Sequence, residues 1–211
     1  TQNQAFSALL FLCRTVLGIE LNDMRDNVRA TRGRRLPDVL SIDETRRLIE
    51  EVRPPYRLMV QLLYGTGMRI TELLNLRVKD IDFDNGLVLV REGKGDKDRS
   101  TLLPECICDE LREHLEKVKK LHDRDLANGY GEASLPDALG RKYPNAGRDW
   151  GWQYVFPANK LSVDPDDGKV RRYRLHAKTS QTAVREAVKG AEIVKRAKAH
   201  TLRHTFATHL L

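Results

Sequence analysis

Cysteine is scarce in this sequence: positions 13, 106 and 108 are the only three in 211 residues. An odd number without a framework spacing excludes a disulfide-built fold, and the expectation is a reduced, intracellular protein. Cys106 and Cys108 stand two apart in a helical pattern and so point to different faces. No apolar run reaches the ~18 residues of a membrane span, so no membrane partner is expected. The opening stretch TQNQAFSALL has neither the basic start of a secretion signal nor an initiator Met, and reads as the middle of a longer chain. The Gly-Lys-Gly at 93–95 lacks the GxxxxGK[ST] spacing of a nucleotide P-loop. His200 and His204 are four apart, yet no acidic or cysteine ligand is placed with them. No metal and no cofactor are expected.

Acidic residues are missing from one end. From Lys169 to Leu211 only Glu186 and Glu192 oppose a long series of cations, among them Arg171, Arg172, Arg174, Arg185, Arg196, Lys198 and Arg203. The formal net charge of +7 is weak evidence alone, but its concentration here points to an anionic partner. Hydrophobic residues make up 40% and charged residues 32%, which is enough apolar material for a substantial core.

What is present centres on Tyr64–Pro104, YGTGMRITELLNLRVKDIDFDNGLVLVREGKGDKDRSTLLP. An apolar helix runs into a Gly-Thr-Gly turn, where Gly65 and Gly67 free the backbone, and Arg69 stands directly behind it. A short helix with Leu73, Leu74 and Leu76 follows, its first amides adding to the pull on an anion. Leu87–Val90 and Arg99–Leu103 read as two strands joined by a polar tip that carries Lys94 and Lys97. A cation on a helical corner and another on a hairpin tip are parts that hold a phosphate.

This stretch resembles the first half of the catalytic domain of the tyrosine recombinases, or phage-integrase family. The closing HTLRHTFATHLL of residues 200–211 resembles that family's second block. The resemblance implies a mainly α fold with a small antiparallel β-sheet, truncated at both ends. It implies Arg69 and Arg203 as phosphate clamps, Lys94 as general acid and His200 as a further catalytic residue. Glu72 is either a surface charge or an accessory group that orients Arg69 or Arg203. The family's tyrosine nucleophile lies after the second block. The tyrosines here, at 56, 64, 130, 143, 154 and 173, all precede His200, so none matches, and these residues alone are not expected to recombine DNA. The reaction implied is cleavage and transfer through a 3′-phosphotyrosyl link by a homo-tetramer on DNA, in a bacterial cytoplasm.

The rest of the chain is divided accordingly. Residues 1–24, with an apolar helix over 4–17, read as the end of a core-binding helical domain. Residues 25–36 are a basic linker, with Arg32, Arg34 and Arg35 either solvated or laid along a DNA backbone. Residues 37–211 are the catalytic domain. Ser41 and Glu44 form a capping box before a helix that turns Ile42, Thr45, Leu48, Ile49 and Val52 inward. Pro104 opens a helix to about Leu121, with His114 and His122 on its surface. Thr179 or Ser180 caps a helix whose inner face is Ala183, Val184, Ala187, Val188 and Ala191. The last helix begins after His200 and buries Leu202, Phe206 and Leu210.

Between them, about 128–176 is punctuated by glycine and proline, with a short helix over 136–142. Its runs RKYPNAGRDWGWQYVFPA and DPDDGKVRRYRLH resemble the integron integrases, which implies folded single-stranded recombination sites as substrate. Trp150 and Trp152 either pack this excursion or form a platform for an unpaired base. Lys97, Arg99, Arg171, Arg172 and Arg174 are the remaining expected DNA contacts. A duplex-DNA phage integrase or Xer-like resolvase, and a non-catalytic DNA-binding fragment, remain open alternatives.

Overall fold

The computed structural model describes residues 2–19, 37–91, 98–135, 137–165 and 167–211. The linker arginines Arg32, Arg34 and Arg35, and Lys94 and Lys97 of the hairpin tip, lie outside the described residues. The chain divides into two units, 1–36 and 37–211. In the first, α1 is Gln2–Phe11 and continues as a π-helix over Leu12–Val16, so the helix expected over 4–17 is present and changes to π-winding in its last part.

The second unit is mainly helical. Ser41 caps α2, Ile42–Glu51, as expected: its Oγ accepts from Glu44 N at 3.1 Å and its own N–H donates to Glu44 Oε2 at 2.7 Å. Thr45, Leu48 and Val52 are buried, but Ile42 is 63% exposed. It occupies the first helical position, before the apolar stripe has turned onto the core. Helix α3, Tyr56–Thr66, is the central element and touches α2, α4 (Ile70–Asn75), α7 (Ala177–Gly190) and α8 (Ala199–His209). Its Leu58, Met59, Val60, Leu62 and Leu63 are all buried, so it is apolar on most sides.

The antiparallel sheet has order β1–β2–β3, from Ile81–Asp82, Leu87–Val90 and Arg99–Leu102. Val88 lies opposite Thr101, and Val90 opposite Arg99. Val88 and Val90 are buried, so this register turns Thr101 and Arg99 toward the same, inner face. Thr101 Oγ1 donates to Thr66 O at 3.1 Å, which ties the sheet to the end of α3.

Helix α5, Cys108–Ala127, outlasts its expected end at Leu121. Its histidines are not surface residues: His122 is buried and bonds Arg148 O at 3.0 Å, and His114 bonds Val155 O at 2.8 Å. The excursion that follows supplies both carbonyls, a partner invisible to helical periodicity. It contains α6, Asp137–Lys142, and a second small sheet of β4, Ser162–Val163, and β5, Val170–Arg171. Tyr154, Val155 and Phe156 are buried beneath it.

Helix α7 starts earlier than expected, capped by His176, whose Nδ1 accepts from Lys178 N at 3.1 Å. Ser180 is buried instead, against Met59 Sδ. Helix α8 begins at Ala199 and so includes His200. Leu202 is buried, while Leu210 is 70% exposed, beyond the reach of the core. Among the described residues no helix is long and apolar enough to cross a membrane.

Candidate active site

The Gly-Thr-Gly turn is the structural pivot. Gly67 ends α3 in the left-handed region at φ 61° and donates to Leu63 O at 3.1 Å. A side chain here would strike the Phe206 ring of α8, and one at Gly65 would strike Pro104. Two close approaches therefore require glycine, and they bring α3, α8 and the segment after β3 together.

Arg69 is the residue just before α4, and its N–H donates to Glu72 Oε2 at 2.8 Å. That amide is therefore engaged within the protein and is not itself an anion donor. The Arg69 guanidinium meets Glu72 Oε1 at 2.6 Å, and Arg99 forks onto both carboxylate oxygens at 3.1 and 2.7 Å. The Glu72 side chain is 6% exposed and is no surface charge. Its burial raises the carboxyl pKa, but the Arg99 fork and both Arg69 donors outweigh this and hold it at about 2.

Arg203 arrives from α8 and donates to the Gly67 carbonyl. Burial and the neighbouring Arg69 lower its pKa, with Arg99 acting in the same sense. A guanidinium remains charged at neutral pH regardless. His200, three residues earlier, faces His204 edge-on at 4.6 Å between ring centroids. Desolvation, then His204, Arg203 and Arg69, lower its pKa below the ordinary 6.5, which favours neutral imidazole. Arg69, Arg99 and Arg203 thus gather at one buried carboxylate, and His200 stands within the field of Arg203 and Arg69. Such a set can bind a phosphate with forked, fixed donors and supply a neutral imidazole for proton transfer.

His204 packs on His200, and His209 bridges Tyr64 Oη at 2.8 Å and Leu40 O at 3.0 Å. No group of His, Cys, Asp and Glu suited to a metal occurs among the described residues. A cleft of about 620 Å³ opens beside His200, lined by Arg185, Arg196 and Lys198 and by no acidic residue. In the sequence Arg185 and Lys198 are only part of a basic run; the structure places both on the wall of this cleft.

The excursion presents a different picture from the expected row of DNA contacts. Arg171 is buried, and its guanidinium meets Asp164, Asp167 and Glu132 at 2.5, 2.6 and 3.2 Å. Arg172 forks onto Asp125 at 2.5 and 2.9 Å and also donates to Ala158 O at 2.8 Å. Both guanidinia are engaged inside the protein rather than offered to a phosphate; carboxylates distant in sequence close around them. Trp150 packs against the core and lies 6.0 Å from His122 between centroids. Trp152 is half-buried with Lys79 Nζ 2.9 Å from its ring centroid. It lines a cavity of about 300 Å³ that also reaches Glu72, Arg77 and Arg91. Arg174 is half-buried and forms no ion pair with the described residues.

Comparison with known proteins identifies the family. Residues 38–211 match the phage integrase family. An integrase/recombinase of Escherichia coli is 49% identical over all 211 residues, which span 63% of that protein. The tyrosine recombinase XerA of Thermococcus kodakarensis is 46% identical over 181 residues, 84% of this chain and 50% of the relative. The crystal structure of a XerA recombinase superposes with a TM-score of 0.57 at 27% identity, covering 99% of this chain and 61% of the other. The chain therefore spans roughly half to two thirds of these proteins, and with the arginine cluster of its catalytic fold it belongs to the phage integrase, or tyrosine recombinase, family.

Proposed function

We propose that this chain carries the phosphate-activating part of a site-specific DNA recombinase. The observation that carries the reading is the convergence of Arg69, Arg203 and His200 at one glycine turn, from segments more than a hundred residues apart. Arg69 and Arg203 hold the nonbridging oxygens of a phosphodiester as attack adds negative charge, a preorganised stabilisation that usually supplies the largest catalytic term. His200, neutral at working pH, donates to those oxygens or accepts the nucleophile's proton. Lys94 protonates the departing 5′ oxygen. In the family reaction a tyrosine positioned after the second block attacks, and the 3′-phosphotyrosyl link keeps the bond energy for rejoining. Neither metal nor ATP enters the scheme. Four copies act on paired sites, in the cytoplasm.

The test uses the complete encoded protein and a nicked suicide substrate. A denaturant-resistant protein–DNA adduct mapping to a tyrosine is expected, and it should be lost in Arg203→Gln. Absence of an adduct across cognate sites would overturn the reading in favour of a DNA-binding fragment.

The finer reading is an integron integrase acting on folded single-stranded sites. Its support is the excursion over 128–176, where Tyr143 is exposed, Trp152 is half-buried with Lys79 over one face of its ring, and Arg174 forms no ion pair with the described residues. Stacking of an unpaired base contributes roughly 1–3 kcal/mol. The complete protein should bind an imperfect hairpin more tightly than the same stem fully paired. Equal affinity at several salt concentrations would favour a duplex integrase or Xer-like resolvase.

A further inference from the structure

Glu72 presents a problem in electrostatics. Its buried carboxylate orients Arg69 twice, through the main-chain N–H at 2.8 Å and the guanidinium at 2.6 Å. Rigid orientation is what a phosphate clamp needs. Yet an ionised carboxylate at that distance, in a partly desolvated site, cancels the charge the clamp exists to present. Arg69 and Glu72 alone form a neutral pair.

Arg99 changes that balance. The β2–β3 register turns it inward opposite buried Val90, where it forks onto both oxygens of Glu72 at 3.1 and 2.7 Å. One carboxylate is thereby shared between two guanidinia, each 34% exposed. The three groups sum to one positive charge instead of none, and Arg203 adds another. The charges of Arg69 and Arg99 are felt at Arg203, so the four groups act within one field.

We propose that Arg99 is a positioning residue of the phosphate site: by sharing Glu72 with Arg69, it keeps that carboxylate as an orienting strut while restoring the site's positive charge. The proposal rests on the reading of Arg69 and Arg203 as phosphate clamps. It gives Arg99 an electrostatic task, distinct from merely fastening β3 to α4.

The two tasks separate experimentally in the complete protein. Single-turnover cleavage is measured on two nicked substrates, identical except for a methylphosphonate at the scissile position of one. That group replaces a nonbridging oxygen by methyl and removes the phosphate's charge. Arg99→Met should slow cleavage of the ordinary phosphate about tenfold to a hundredfold, and slow the neutral substrate far less. Arg99→Lys should recover most of the loss, because it returns the charge without the fork. Adding Glu72→Gln to Arg99→Met should also recover rate, since the unshared negative charge is then gone. Equal losses on the two substrates, or a double variant slower than Arg99→Met alone, would overturn the proposal and leave a structural tie. Arg69→Gln is the control for the parent reading: if it cleaves the ordinary phosphate as fast as the unmodified protein, the clamp assignment fails with everything built on it.

Discussion

Arg203 donates to the main-chain carbonyl of Gly67, 136 positions away in sequence. The same glycine lies so close to Phe206 that no side chain fits between them. The turn that delivers Arg69 and the helix that delivers Arg203 are therefore locked to each other, and the spacing of the two guanidinia depends on one residue that is neither.

Gly67→Ala should consequently damage stability and chemistry together. The new methyl group meets both a left-handed backbone and the Phe206 ring. Its cost should be roughly 2–4 kcal/mol, measured by chemical denaturation. Gly86→Ala is the comparison: it has the same sign of φ but open space around it, so its loss should be smaller.

Arg171→Ala should destabilise by about 3–5 kcal/mol, because it removes the buried guanidinium that holds Asp164, Asp167 and Glu132 together. The salt dependence of DNA binding should be unchanged wherever the variant remains folded. A reduced slope without loss of stability would return Arg171 to the DNA surface.

Arg196→Ala with Lys198→Ala should show the reverse. Both are exposed in the cleft beside His200 and form no ion pair with the described residues. Each phosphate contact contributes about 0.9 to the slope of log affinity against log salt, so the pair should lower it by about 1.8. Thermal stability should be preserved.

Glu72 makes a pH prediction whose sign follows from its depressed pKa. The carboxylate is ionised above its ordinary 4.5, where its contribution to stability is complete. That contribution should be lost as pH falls from about 4.5 to about 2. Glu72→Gln should be less stable at neutral pH and should lack this part of the acid-induced loss, as followed by denaturation at a series of pH values.

His200 titrates below its ordinary 6.5 because protonation is opposed by desolvation and by His204, Arg203 and Arg69. Cleavage should hold at neutral pH and decline on the acid side of that value. Substituting His204 by Gln should move the acid limb upward, since a group that opposes protonation is gone. An unmoved limb would assign it to another group.

Local rules made much of this chain legible before any fold was known. The Ser41–Glu44 capping box, the glycine turn before Arg69 and the strands expected at 87–90 and 99–103 each depend on residues within a few positions of one another, and each is present, the second strand ending one residue early at Leu102. Arg69, His200 and Arg203 could be singled out because their motifs are short and contiguous. The tertiary structure decided which charges are available. Arg99 and Arg171 are both basic residues near a strand, and nothing local distinguishes them. Arg99 shares a carboxylate beside the cluster, whereas Arg171 is enclosed by Asp164, Asp167 and Glu132. Helical spacing puts His122 on the surface and cannot anticipate that Arg148 O, 26 residues on, covers it. Burial and ion pairing are properties of the neighbours a side chain acquires, and for these residues the neighbours come from distant segments joined only when the core closes.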